Sequence, residues 1–184
     1  MKEKAYLFLA EGFEEVEGLT VVDLLRRGQV ELVTVSVSGS QLVTGSHKIA
    51  VMADCRFEEA DLSDGTIYIL PGGMPGTKNL GAHAGLTGLL KDAKKQGKKL
   101  AAICAAPSVY GQLGLLEGET ATCYPGFEDQ LRGAVVTENK VEVSGQMTTS
   151  RGVGTAIPFA LKLLEELRGP EEAQRVGKSI LWEG

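Results

Sequence analysis

The stretch LAAICAAPSV, residues Leu100–Val109, sets the organisation of the whole chain. Its first four residues are apolar and predict a short buried strand, and Cys104 follows at once. Small residues and Pro107 then begin a predicted helix whose apolar residues include Leu113 and Leu116, because proline is tolerated where a helix begins. The pattern therefore predicts a strand, a sharp turn and a helix, with a thiol at the turn.

A thiol at such a turn faces the free N–H groups and the positive dipole end of a helix, and both stabilise a thiolate. Helix N-termini are among the settings that lower a cysteine pKa from about 8.5 into roughly the 3.5–7.5 range. We therefore predict that Cys104 is a reactive cysteine with a lowered pKa. The alternative is a small buried cysteine that only fills space.

Length and composition predict one globular domain over residues 1–184. The net charge is −5 and the basic residues form no stripe, so nucleic-acid binding is not expected. No apolar run is long enough to span a bilayer, and the N-terminus enters a predicted strand directly, so neither a membrane segment nor a signal peptide is expected. These features favour a cytoplasmic protein.

The cysteines and histidines are few. Cys55, Cys104 and Cys123 have no CxxC spacing, which predicts neither a disulfide framework nor a zinc site. His47 and His83 are too few for a histidine-rich metal centre. We expect no cofactor, a reducing compartment, and structural roles for Cys55 and Cys123.

Apolar runs alternate with helical patterns along the chain. Strands are predicted at residues 5–10, 30–37, 66–70, 100–103, 120–122 and 134–137, with hairpins within 38–52 and 140–149. Helices are predicted from the first strand to residue 27, at 86–96, after residue 104, from 155 onward, and at 170–178. Continuous apolar strands are typical of a parallel sheet covered on both faces, so the fold class is α/β with a mostly parallel central sheet.

Three candidate loops follow predicted parallel strands: residues 11–17, residues 71–73, and the turn at Cys104. Ligands of open parallel sheets bind at the carboxyl ends of the strands, so we expect these loops to meet at one edge.

Glu17 is the carboxylate of interest in the first loop. It shares a helix face with Val21 and Leu24, so we expect it to turn toward the sheet, whereas Glu14 and Glu15 are expected to face water. A buried carboxylate needs a partner, and a protonated Glu17 is predicted to donate to the Cys104 thiolate. The alternative is a partly exposed helix glutamate.

Backbone groups complete the predicted site. Gly72 and Gly73 allow N–H groups to approach a ligand closely, and with the N–H of Ala105 they are predicted to form an oxyanion hole beside Cys104. Arg151 is a candidate anion ligand ahead of the last long helix. A common tight turn at residues 71–73 and a solvated surface arginine are the alternatives.

Four segments together resemble the ThiJ/PfpI superfamily, in the branch of the parkinsonism-associated DJ-one protein and its bacterial relatives. They are GFEEVE (residues 12–17), LPGG (70–73), AAICAAP (101–107) and TSRGVGT (149–155), which occur in the family's order and spacing. The resemblance implies a flavodoxin-like three-layer sandwich and a homodimer built partly on the first helix.

The resemblance also implies site roles. Cys104 corresponds to a nucleophile-elbow cysteine that is readily oxidised to sulfinic acid, with Glu17 as its protonated neighbour and Gly73 and Ala105 as N–H donors. Members of this branch are described as cofactor-independent glyoxalases, as deglycases, and as oxidative-stress responders or chaperones.

This sequence departs from the family at three positions. Ala105 stands where relatives with peptidase character have a histidine, which argues against proteolysis. Tyr124 lies in the segment where the parkinsonism-associated relative has a histidine near the cysteine. A tyrosine can hydrogen-bond but is a poor base near neutral pH, which leaves proton transfer to Glu17. His47 aligns roughly with an arginine near the dimer interface.

The leading hypothesis is a cytoplasmic homodimer that acts on small 2-oxoaldehydes, as a glutathione-independent glyoxalase or a deglycase. Cys104 and Glu17 are its expected catalytic residues; the expected oxyanion and substrate ligands are Gly72, Gly73, Ala105, Tyr124 and Arg151. A redox sensor or holdase chaperone without a dedicated substrate is the first alternative. A cysteine peptidase or amidase is the second, and it requires a histidine from another segment or subunit.

Overall fold

The computed structural model describes residues 3–184 as a central sheet with helices on both faces. The strands are β1 (Lys4–Leu9), β2 (Glu31–Ser36), β3 (Leu42–Thr44), β4 (Ala50–Met52), β5 (Cys55–Arg56), β6 (Ile67–Leu70), β7 (Lys99–Ile103), β8 (Thr120–Ala121), β9 (Val135–Val136), β10 (Val141–Ser144) and β11 (Met147–Ser150). The α-helices are α1 (Glu15–Arg27), α2 (Gly76–Ala82), α3 (Ala84–Lys95), α4 (Pro107–Gln112), α5 (Ala156–Arg168) and α6 (Pro170–Ser179).

The main sheet has seven strands in the order β10-β11-β7-β6-β1-β2-β5. Every neighbouring pair is parallel except β10 and β11, which form an antiparallel hairpin. Strands β3 and β4 form a separate hairpin, and β8 pairs with β9. The predicted α/β class with a mostly parallel sheet is confirmed.

Strand β1 shows why the strands are apolar throughout. Ala5, Leu7 and Leu9 belong to the core that also contains residues of α1, α5 and α6, whereas Tyr6 and Phe8 belong to the core with residues of α2, α3 and α4. Successive strand residues point to opposite faces, so both sets need apolar side chains when helices cover both faces.

Two helices differ from the sequence prediction. Helix α4 ends at Gln112 and does not extend to Leu116, because Gly114 turns the chain in the left-handed region at φ +72°. Helix α2 was not predicted, since its segment GTKNLGA has too few apolar residues for a helical period, although Leu80 is fully buried. Over residues 3–184, no helix has the length and apolar character needed to cross a membrane.

Candidate active site at the carboxyl edge of the sheet

Strands β7, β6 and β1 are neighbours in the sheet, so the loops after them meet as predicted. The N–H of Glu14 donates to the carbonyl of Gly72 at 2.8 Å, and the N–H of Gly72 donates to Glu17 Oε2 at 2.9 Å. These bonds join the first loop to the second. Cys104 lies directly after β7, at the same edge.

Cys104 occupies a strained turn between β7 and α4. Its φ is +66°, which a residue with a side chain rarely adopts and which costs on the order of 1–3 kcal/mol. Two backbone bonds hold this conformation: the N–H of Cys104 donates to Ser150 O at 3.0 Å, and the N–H of Tyr124 donates to Cys104 O at 2.8 Å. The turn presents a partly buried thiol at the sheet edge, as the sequence predicts.

The two glycines after β6 are required by space and by conformation. A Cβ on Gly72 would lie 2.6 Å from both Cys104 Cβ and Glu17 Oε2. Gly73 has φ +92°, and a Cβ there would lie 2.4 Å from the backbone nitrogen of Glu14. Because Gly72 and Gly73 have no side chains, the backbone of this loop can lie directly against Cys104 and Glu17.

Glu17 is fully buried on α1 and faces the sheet, which rules out the alternative of an exposed helix glutamate. Gly72 donates to its Oε2, while Oε1 is buried without a hydrogen-bond partner among the described residues. Burial raises the pKa of Glu17 to about 7, although interactions with Cys104 and Gly72 oppose the shift. The carboxyl group therefore changes protonation near neutral pH.

The thiol of Cys104 departs from the prediction of a lowered pKa. Burial and the charge of the adjacent Glu17 carboxylate raise its pKa to about 12, although the N–H groups of Ala105 and Gly73 lower it. Helix α4 has only six residues, so its dipole is too weak to overcome these effects. Cys104 and Glu17 are coupled, and above pH 7 the pair holds one proton. A thiolate forms when Glu17 takes that proton.

A cavity of about 810 Å³ opens above this pair. We call it the Cys104 pocket; its lining comprises Glu14, Glu15, Val16, Glu17, His47, Ile49, Gly73, Cys104, Tyr124, Pro125, Arg151, Gly152, Val153, Gly154 and Thr155. Of the five predicted ligands, it includes Gly73, Tyr124 and Arg151 but neither Gly72 nor Ala105. The N–H of Gly72, predicted to serve the oxyanion hole, donates to Glu17 instead. The guanidinium of Arg151 donates to Glu138 O at 3.4 Å, which holds it at the wall.

Glu15 and His47 are pocket residues that the sequence analysis did not assign to the site. Glu14 and Glu15 were both predicted to face water, but the side chain of Glu14 is only 12% exposed and Glu15 is buried. The Glu15 carboxylate accepts from the N–H of His47 at 2.7 Å and contacts His47 Nδ1 at 2.9 Å. Although burial opposes it, hydrogen bonding lowers the pKa of Glu15 to about 2. The two residues are 32 positions apart in the sequence. Because His47 lies in a polar loop, no periodic pattern in the sequence predicts that it contacts Glu15.

Donor atoms of Glu14, Glu15 and His47 all lie within 4.8 Å of one another, so these residues could hold a metal ion. In this structure they bind one another instead. The hydrogen bonds of the described residues connect neither histidine to Cys104, since His83 accepts from the N–H of Leu86 and caps α3.

All three cysteines are free thiols. Cys55 is partly buried in β5, and Cys123 is buried in the core beside α2, α3 and α4. Neither lines the Cys104 pocket.

Residues 3–166 match the DJ-1/PfpI family. The chain belongs to this family. Protein dj-1beta of Drosophila melanogaster is 34% identical over 183 residues, covering 98% of both chains. Protein DJ-1 homolog B of Arabidopsis thaliana is 38% identical over 97% of this chain, but the match spans only 41% of that relative's length.

Two further relatives bear on function. The glutathione-independent glyoxalase DJR-1.2 of Caenorhabditis elegans is 31% identical, with 97% of this chain and 96% of the relative covered. The solved structure of oxidized Toxoplasma gondii DJ-1 superimposes with a TM-score of 0.95 at 38% identity, covering 99% of this chain and 100% of that chain. The fold of this DJ-1/PfpI member is therefore that of the DJ-1 structures.

Proposed function

We propose that this protein is a cofactor-independent enzyme that converts small 2-oxoaldehydes to 2-hydroxy acids, with Cys104 as nucleophile and Glu17 as proton shuttle. One observation carries the proposal: the fully buried carboxyl group of Glu17, with a pKa of about 7, touches the Cys104 thiol in the lining of the Cys104 pocket. A general acid–base catalyst works best when its pKa lies near the working pH.

The first step joins the thiol to the aldehyde. Glu17 takes the proton of Cys104 while the sulfur bonds to the aldehyde carbon, and the carbonyl oxygen becomes an alkoxide. The N–H groups of Gly73 and Ala105, which also interact with the Cys104 sulfur, lie where they can stabilise that charge. Glu17 then returns the proton to the alkoxide, which gives a neutral hemithioacetal.

The second step moves a proton between adjacent carbons. The Glu17 carboxylate takes the C–H proton of the hemithioacetal carbon, which leaves an enediolate, and then returns that proton to the neighbouring carbon. The hydroxyl proton of the hemithioacetal carbon passes to the neighbouring oxygen in the same step. The product is a thioester of a 2-hydroxy acid. Water adds to the thioester carbon, the C–S bond breaks, and the released thiol regains its proton; methylglyoxal thus becomes lactate without net oxidation.

Lactate formation from methylglyoxal in the absence of glutathione tests this proposal. We expect Cys104→Ser and Glu17→Gln to reduce kcat/KM by about 10²–10⁴-fold, the usual contribution of acid–base catalysis. Cys55→Ser is the matched control, since Cys55 lies away from the pocket. Turnover that persists in both site variants would exclude the mechanism.

Oxidation sensing is a second candidate for the same thiol, with or without holdase activity. The similar Toxoplasma gondii protein was solved in an oxidized form, and Cys104 is partly exposed in the Cys104 pocket. Intact mass after graded peroxide distinguishes the two: two oxygens added selectively at Cys104, with negligible aldehyde turnover, favours sensing.

A peptidase or amidase receives less support. Ala105 follows the nucleophile directly, and His47 in the pocket is hydrogen-bonded to Glu15.

We also propose a cytoplasmic location, which suits three unpaired cysteines. Fractionation of cells that express the full chain tests the location.

A further inference from the structure

Several residues that line the Cys104 pocket are apolar. Three of them are Tyr124, Pro125 and Val153, and we call these three residues the apolar wall. The side chains of Tyr124 and Val153 are about half exposed, at 50% and 48%. Exposed apolar groups that line a concave site beside a reactive group are typical of ligand contacts.

The apolar wall stands beside the reacting atoms. The N–H of Tyr124 donates to the carbonyl of Cys104 at 2.8 Å, so the residue that carries the ring is itself bonded to the cysteine. Gly152 lies between the ring and Glu17: a Cβ at Gly152 would lie 3.3 Å from ring carbon Cδ2 and 3.9 Å from Glu17 Oε1. Because Gly152 has no side chain, the ring borders the space above the Cys104–Glu17 pair.

The pocket is far larger than methylglyoxal requires. Cavities of about 300–1,000 Å³ accommodate drug-sized ligands, and this cavity has about 810 Å³. A carbonyl group bound at Cys104, with its oxygen on the N–H groups of Gly73 and Ala105, leaves most of that volume to the substituent.

Two of the charged residues in the pocket lining have partners within the chain. Arg151 donates to Glu138 O, and His47 is bonded to Glu15. The exposed side chains of Tyr124 and Val153 offer contact area that an apolar substituent can cover. The apolar wall therefore favours apolar, and above all planar, substituents.

We propose that Tyr124 is a specificity-determining residue that selects 2-oxoaldehydes with an aromatic or branched apolar substituent over methylglyoxal. This inference rests on the proposed aldehyde activity. It assigns to Tyr124 a role that its hydroxyl group does not supply, because the ring face makes the contact.

The test compares kcat/KM for phenylglyoxal and methylglyoxal. We expect a ratio well above one in the unmodified protein and about a 10-fold lower ratio in Tyr124→Ala, the equivalent of one aromatic contact with its buried area. Tyr124→Phe should retain the ratio. Leu181→Ala, at an exposed residue outside the pocket, is the matched control. An unchanged ratio in Tyr124→Ala, or an equal loss in Tyr124→Phe, would overturn the proposal.

A second measurement separates this proposal from the proposed function. Phenacyl bromide and bromoacetone alkylate the Cys104 thiol by the same step: the thiol gives its proton to Glu17, an S–C bond forms, the C–Br bond breaks and bromide leaves. We measure the rate at which each reagent labels Cys104 and divide it by its rate with glutathione in solution. We expect this normalised rate to be higher for phenacyl bromide than for bromoacetone, and Tyr124→Ala to abolish the difference. If this result is obtained without aldehyde turnover, the proposed function is wrong but the role of Tyr124 in selecting apolar substituents is supported. If Tyr124→Ala keeps the same preference for phenacyl bromide as the unmodified protein, that role is refuted, whatever the turnover.

Discussion

Glu17 links the stability of the fold to pH. Its carboxyl group keeps its proton to a higher pH in the folded protein than in the unfolded chain. Its pKa rises from 4.5 to about 7 on folding, mainly through burial. The folded state therefore binds this proton more tightly, and its stability falls as the pH rises from about 4.5 to 7. The difference is about 3 kcal/mol at most. Urea unfolding at pH 5 and pH 8 should show this loss in the unmodified protein and not in Glu17→Gln; parallel pH profiles would contradict the assigned pKa.

Gly72 allows the close approach of Cys104 and Glu17, so Gly72→Ala should destabilise the fold. The added Cβ would lie 2.6 Å from atoms of both residues, and overpacking of this kind costs about 1–3 kcal/mol. We expect that loss in the free energy of unfolding, together with loss of thiol reactivity. Gly88→Ala is the control: a Cβ there meets nothing within 4 Å and lies inside α3, so stability should hold or rise.

At the scale of elements, Glu15 fastens the β3–β4 hairpin to α1. Its carboxylate accepts from the N–H groups of His47 and Ile49 in the turn of the hairpin. Each hydrogen bond to a charged group contributes about 1.5–3 kcal/mol, so Glu15→Ala should speed amide exchange in β3 and β4 by about 10-fold or more. Asp23→Ala on the exposed side of α1 should leave these rates unchanged. Because the pKa of Glu15 is about 2, the protection should persist at neutral pH and fade between about pH 4.5 and 2.

The sequence predicts best those elements whose residues carry a local signal. The apolar run ending at Leu70 and the one ending at Ile103 appear as β6 and β7, and the hairpin split by Gly145 appears as β10 and β11. The meeting of three loops also follows, because parallel strands place their carboxyl ends together. The raised thiol pKa and the Glu15–His47 pair do not follow, since both depend on burial and on partners distant in sequence.

At the scale of the whole molecule, the seven-stranded sheet brings together residues from four distant segments. Strand order places β6 between β1 and β7, so the glycine loop after β6 lies between α1 and the cysteine turn. The strand β11 on the other side of β7 supplies the loop with Arg151 and Gly152. A change of register in any of these strands would separate Cys104 from Glu17. Reactivity is therefore a property of the sheet order as much as of the residues.

Helix α1 and the β3–β4 hairpin carry exposed apolar residues on the surface of the molecule. They are Val16, Leu19, Leu42, Ile49 and Met52. Val16 and Leu19 lie one helical turn apart, and Met52 is 65% exposed in a strand paired with Leu42. Exposed apolar surfaces often mark interfaces, and we propose that these residues form the homodimer interface. Because Val16 and Ile49 also line the Cys104 pocket, a partner subunit would border its mouth.

Charge at this surface should therefore dissociate the dimer and alter the active site together. We expect the Leu19→Lys/Met52→Lys double variant to sediment as a monomer at micromolar concentration, because desolvating two ammonium groups opposes association. Leu181→Lys, which adds charge at an exposed apolar residue outside the surface, should remain dimeric. Labelling of Cys104 should change only in the double variant, since the partner borders the pocket. An unmodified protein that sediments as a monomer would contradict the homodimer, and a double variant that stays dimeric would place the interface elsewhere.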